Sequence, residues 1–162
     1  MNKAIFIGQA MPKYKSELHD WPSLNKWLYK IGITDNEIRK YFYYSALVDF
    51  FPGIKNGSHR IPSAKEIYKE RVRLNKTISD FEPDIIVPVG KLSISHCLNK
   101  KNITLTETIG EKYICDPYNL TGSNYLVIPL PHPSGASVWY QKRENRILLK
   151  KALVILKRKL EE

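Results

Sequence analysis

Pro83-Asp84-Ile85-Ile86-Val87-Pro88-Val89-Gly90 carries the clearest strand signal in the chain. Its apolar residues are mostly β-branched and run on without polar alternation, as in a parallel strand covered on both faces. Gly90 ends the run, and Lys91-Leu92-Ser93-Ile94-Ser95-His96-Cys97-Leu98 reads as a helix starting directly after it. Upstream, Lys3–Gly8 reads as a first strand ended by Gly8-Gln9-Ala10-Met11-Pro12, and Tyr43–Val48 as a second. Between them Trp21-Pro22-Ser23 opens a helix with Leu24, Trp27, Leu28 and Ile31 at helical spacing, and Thr34-Asp35-Asn36-Glu37 starts a short one. Ser63-Ala64-Lys65-Glu66 is a capping box, after which Ile67, Leu74, Ile78 and Phe81 mark the buried stripe of a third helix.

Downstream, Asn124–Pro131 reads as the last strand, and a helix is expected from about Ser137 to Leu160. Two segments stand apart. Asp49 to Pro62 reads as a long structureless loop, which in a compact domain is more often functional than not. Ile103 to Tyr125 reads either as a β-hairpin or as an extended loop. Alternating strands and helices predict an α/β fold: a three-layer sandwich around a central, mainly parallel, four-stranded sheet.

The 162 residues suit one domain, 1–162, and 43% hydrophobic content is incompatible with disorder. No apolar run approaches the ~20 residues of a membrane span. The chain starts directly into a strand, with no signal-peptide pattern, so a cytoplasmic location is expected. A net charge of +10 suggests a polyanionic partner such as nucleic acid, or else a generally basic, Lys-rich surface. Cys97 and Cys115 lack the paired spacing of a zinc site and are too few for an iron–sulfur cluster. They read as buried free thiols in a reducing compartment.

In an open parallel sheet, ligands sit beyond the carboxyl ends of the strands. Four such ends carry distinctive residues: Gly8–Pro12, Asp49-Phe50-Phe51-Pro52-Gly53, Gly90–Ser93 and His132-Pro133-Ser134-Gly135-Ala136-Ser137. His132 follows a buried strand and is clamped by prolines, which suits a site, although an isolated histidine also serves to cap a turn. Gln9 reads as a ligand contact or as a support for loop backbone. Gly90-Lys91 reads as a phosphate grip or as ordinary punctuation. His59 and Arg60 read as solvated loop residues beside a turn at Gly57, and His19 and His96 as structural or exposed.

Gly8–Pro12, Pro83–Gly90 and His132–Ser137, in this order, resemble the motifs of the uracil-DNA glycosylase superfamily. Phe50-Phe51-Pro52-Gly53 followed by His59-Arg60-Ile61-Pro62-Ser63 is similar to the Pro-rich segment of its thermostable iron–sulfur class. The resemblance runs from Lys3 to about Gln141. It implies a monomeric DNA glycosylase without cofactor or metal that flips uracil or another deaminated base out of DNA and hydrolyses its N-glycosidic bond. His132 would donate a hydrogen bond to a carbonyl oxygen of the departing base, with Gln9 contacting base or water. Asp49 would read the base or position water, or else cap its loop. Gly8, Ala10, Trp21, Ser45 and Phe50 would surround the base, Trp21 by stacking or else as a core residue at a helix start. Lys13, Arg60, Gly90, Lys91, Ser93, Ser134, Gly135, Ala136 and Ser137 would meet the DNA. Val138 or Trp139 would replace Ala136 as the wedge.

The chain departs from the family pattern at four points. Ala10 stands where many members carry Asp or Asn, and Gln9 where the iron–sulfur class carries Glu. Ser45-Ala46 stand near the place of a base-reading Asn, and the four cluster cysteines are absent. Two other readings follow: a non-catalytic nucleic-acid-binding member of the same fold, and an α/β enzyme acting on a small nucleotide. The second lacks any GxxxxGK[ST] sequence.

Overall fold

A computed structural model describes residues 1–12, 19–134 and 138–162. Strand β1 (Ala4–Ala10) is followed by helices α1 (Pro22–Lys30) and α2 (Asp35–Tyr41) and by strand β2 (Phe42–Val48). A hairpin, β3 (Ile54–Lys55) and β4 (Ser58–His59), leads to α3 (Ala64–Lys69) and α4 (Arg71–Phe81), then β5 (Ile85–Pro88) and α5 (Lys91–Leu98). The short α6 (Leu105–Thr108), β6 (Tyr113–Cys115), β7 (Tyr125–Val127) and the long α7 (Arg143–Glu161) complete the chain.

The sheet has the order β2-β1-β5-β7-β6. The first four strands are parallel, with Ala4 opposite both Phe42 and Ile85, and Ile86 opposite Val127. A parallel bridge between Val89 and Leu130 carries the ladder beyond β5 and β7. The expected architecture is therefore present with one more strand than anticipated. β6 pairs antiparallel on the β7 edge, and its three residues with an exposed Ile114 carry little pattern to read.

Strand alternation divides the core. Ala4 and Phe6 pack on one face with Leu24, Leu28, Ile38 and Leu156, and Ile5 and Ile7 on the other with Leu74, Ile78 and Ile86. Every one of these side chains is fully or almost fully buried, each contributing about 1.5–3 kcal/mol for the larger aliphatic and aromatic ones. The sheet is thus clamped between two helical layers. Among the described residues no helix is long and apolar enough to cross a membrane.

Four local expectations are corrected. The 49–62 segment is not structureless: Asn56 and Gly57, both at positive φ, make the tight turn of the β3–β4 hairpin. The single helix expected after Ser63 breaks at Glu70, whose backbone N–H is shared among the carbonyls of Glu66, Ile67 and Tyr68. The final helix starts at Arg143, after a 3-10 turn over Trp139–Gln141, later than the expected start near Ser137. Cys97 is buried, but Cys115 is only half-buried, on the edge strand. The capping box expected at Ser63 with Glu66 is formed, and Thr34 with Glu37 makes another at the start of α2.

Candidate functional site

Because β1, β2 and β5 are parallel, their carboxyl ends open on the same rim. A cavity of about 440 Å³ lies there, lined by Gly8–Pro12, the 20–22 turn, Tyr44, Ser45, Phe51, Pro52, His59, Arg60 and His132. Of the four expected strand-end segments, three meet in this cavity. The fourth, at Gly90, supports it from behind.

His132 is placed by backbone geometry. The Gly90 N–H donates to the Leu130 carbonyl at 2.9 Å, locking the end of β5 to the segment that delivers the histidine. Gly90 itself adopts φ +90°, ψ 156°, a conformation essentially reserved for glycine, and the outward course of α5 starts from it. Pro131 and Pro133, both buried, fix the backbone on either side of the ring. The Ser134 N–H donates to His132 Nδ1 at 3.1 Å. Nδ1 is therefore an acceptor, and the neutral ring carries its proton on Nε2. Surrounding protein strips water from the imidazole and pushes its pKa below the usual histidine value, although one face remains open to the cavity. Tyr140 donates its hydroxyl to the Ser134 carbonyl, pinning the same loop from the far side.

The aromatic wall depends on Gly8. A Cβ there would stand 3.0 Å from the Trp21 ring, so any other residue would push the indole back by a few tenths of an ångström. Trp21 meets Tyr44 edge-on at 5.9 Å and His132 at 6.0 Å between ring centres. It thus fills both roles read from the sequence, helix-start packing and pocket lining. Gln9 and Ala10 line the floor beside it. Ser45 is buried at the cavity edge, where its hydroxyl accepts from Arg73 Nη1 at 3.1 Å.

Opposite stands the hairpin. Arg60 grips Glu66 through both terminal nitrogens, at 2.7 and 2.9 Å, and its Nε donates to the Pro52 carbonyl at 2.7 Å. The guanidinium and the Ser63 cap hold the Glu66 carboxyl down at about 2. His59 meets Phe51 edge-on at 5.4 Å. Arg60 is therefore a brace as well as a pocket residue.

Three assignments from the sequence are corrected. Asp49 does not line the His132 cavity. Its backbone N–H donates to Glu70 Oε1 at 2.6 Å, and it borders an adjoining cavity of about 280 Å³ with Arg73 and Thr77, which shares Met11, Tyr44 and Ser45 with the first. Phe50 is exposed and outside the lining; its neighbour Phe51, just past the bend at residues 49 and 50, takes that place. Ser93 is fully buried, donating to the Ile7 carbonyl at 2.6 Å and sharing a 2.8 Å hydrogen bond with Tyr118, so it offers nothing to DNA. Lys91 is exposed on the first turn of α5 and Val138 is exposed beside the His132 loop. Lys13, Gly135, Ala136 and Ser137 lie outside the described residues.

Sequence reasoning missed Asp20 and Tyr44, and it left His59 in solvent. Asp20 sits in a polar stretch with no motif, and its partner elements are distant in the chain. The hairpin signal at Asn56-Gly57 was the available clue to His59. An iron–sulfur cluster does not fit this chain: the two cysteines cannot supply four thiolates.

The model of the uracil DNA glycosylase superfamily matches residues 3–157. The chain belongs to that superfamily. No curated protein matches it.

Proposed function

We propose that this protein is a monofunctional DNA glycosylase that takes uracil, or another deaminated base, into the His132 cavity and hydrolyses its N-glycosidic bond. The observation that carries this reading is the His132 tautomer. With Nδ1 committed to the Ser134 N–H, the neutral ring presents an Nε2–H donor on the wall of a cavity at the sheet rim. Cleavage leaves negative charge on the departing base, and a preorganised donor aimed at such charge contributes about 3–4 kcal/mol. A neutral imidazole suits the role because it needs no proton from solution.

The other residues take supporting parts. Trp21 and Phe51 flank the base, and Gln9 meets it or a water from the floor. Extrusion costs a few kcal/mol of unstacking, least at a mismatched base. The net charge of +10 supports binding to the phosphate backbone, with Lys91 and the His132 loop on the DNA side. The same reading takes residues 1–162 as one domain, acting as a monomer in the cytoplasm without cofactor or metal.

A panel of oligonucleotides carrying uracil, hypoxanthine or xanthine, assayed for abasic sites, tests this. Base release is expected from at least one, and His132→Ala is expected to lower it about 100- to 1000-fold. A non-catalytic DNA-binding member is favoured by Ala10 and by the displacement of Asp49 from the cavity. Salt-sensitive DNA binding with no release from any lesion would establish that reading instead.

A further inference from the structure

Hydrolysis of a glycosidic bond makes two demands besides the leaving group: a counter-charge for the sugar as it becomes cationic, and an acceptor for the proton of water. Resting on the glycosylase reading above, we infer that Asp20 is the carboxylate that holds and deprotonates the water. It is the one acidic residue among the described residues that line the His132 cavity. Three of the other polar side chains there are bonded within the protein. Ser45 accepts from Arg73, Tyr44 donates to Asn25, and Arg60 is held by Glu66.

The turn that carries Asp20 is built with unusual care. The His19 carbonyl accepts from the Trp21 N–H at 3.0 Å and from Asn25 Nδ2 at 3.1 Å. The His19 ring reaches back through Nε2 to the Phe42 carbonyl at 2.7 Å and stands edge-on to Tyr44 at 5.5 Å. Tyr44 in turn donates to Asn25 Oδ1 at 2.5 Å, closing a buried network. Burying an amide and a phenol is unfavourable unless both are paired. Here the pairing fixes residues 19–21 against β2, so that Trp21 and Asp20 enter the cavity together from one rigid turn.

In the step itself, a water oxygen bonds to the sugar C1′ while the C1′–N bond breaks and its electron pair goes to the base, facing His132 Nε2–H. The water proton passes to the Asp20 carboxylate and then to the released base, which leaves neutral. No oxidant, reductant or metal enters the balance.

Single-turnover excision from uracil-containing DNA tests this with wild type, Asp20→Asn, Asp20→Ala and His132→Ala, each checked by circular dichroism and thermal melting. Asp20→Asn is expected to slow excision at least about 100-fold, within the range for a lost general base, while binding to DNA with a stable abasic analogue is unchanged. Added formate is expected to restore part of the rate to Asp20→Ala and none to His132→Ala. If Asp20→Asn melts early, the Asp20→Ala rescue carries the decision alone. Wild-type rates in Asp20→Asn, or an Asp20→Ala deficit that formate leaves untouched, overturn the assignment and leave the glycosylase reading standing. A wild type that releases no base from any lesion overturns both.

Discussion

The cavity has two walls made on different principles. On one side, Gly8 and His132 sit at the ends of the parallel sheet, with Trp21 at the start of α1 packed against Gly8. The strand residues from Ala4 to Ile7 and Ile85 to Val87 are buried essentially completely. On the other, Phe51, His59 and Arg60 sit on a two-residue-per-strand hairpin that is exposed along both strands. The first wall is tied to the sheet through Gly8 and through the Gly90 N–H on the Leu130 carbonyl. The second is held by a few polar contacts, chiefly Arg60 on Glu66 and on the Pro52 carbonyl. On the proposed glycosylase reading, the donor to the leaving base stands on the strand-end wall, where a misplacement of an ångström would be most costly. On the same reading, the hairpin wall is the one that would yield to admit a base.

The largest break in this contrast is expected on the stiff side. Gly90→Ala puts a side chain at φ +90°, ψ 156°, at a cost of about 1–3 kcal/mol. The cost is conformational, since the added Cβ would meet His132 Cβ at an ordinary 3.5 Å. Urea unfolding should show a lower midpoint with unchanged slope, together with reduced base release. A stable and fully active variant would mean that the strand end does not hold the histidine.

A smaller effect is expected for Tyr44→Phe, which removes the donor to Asn25 Oδ1. The loss is about 0.5–1.5 kcal/mol, because Asn25 retains its bond to the His19 carbonyl. Burial already raises the Tyr44 pKa far above the ordinary phenol value, so the hydroxyl is a neutral donor at every relevant pH. Base release should fall more than stability does, since the turn carrying Trp21 and Asp20 loses its anchor. Equal losses in both would assign Tyr44 to packing alone.

The same contrast explains what the sequence disclosed. β5 was legible from residues 85–89 because burial on both faces leaves a dense β-branched run, and the Ser63–Glu66 capping box was legible because its bonds are local. His132 was legible because proline, glycine and a buried strand surround it within ten residues. Asp20 was not, because its meaning comes from His19, Asn25, Phe42 and Tyr44, which only the fold brings together. Asp49 and Phe50 were misplaced because a strand end leaves open which way each successive side chain faces. The region of β6 stayed open between a β-hairpin and an extended loop for the opposite reason to β5: an edge strand of three residues, paired antiparallel with β7, buries too little to imprint a pattern.

The smallest predicted effect sharpens the comparison from the soft side. Glu66 in the folded chain titrates at about 2, below the ordinary 4.5, because Arg60 and the Ser63 cap stabilise its charged form. A carboxyl depressed on folding contributes stability that is complete above the ordinary value and is lost as pH falls from about 4.5 toward 2. Glu66→Gln removes that contribution at neutral pH, leaving the Arg60 brace without its charge partner. The global unfolding midpoint should barely move, since the pair lies outside the core. Amide exchange of residues 54–59 should quicken in the variant at neutral pH, and its excess over wild type should shrink as the solution is acidified through that window. If instead the whole sheet loosens with the hairpin, the two walls are one cooperative unit, and the division of labour between a stiff donor wall and a yielding enclosure fails.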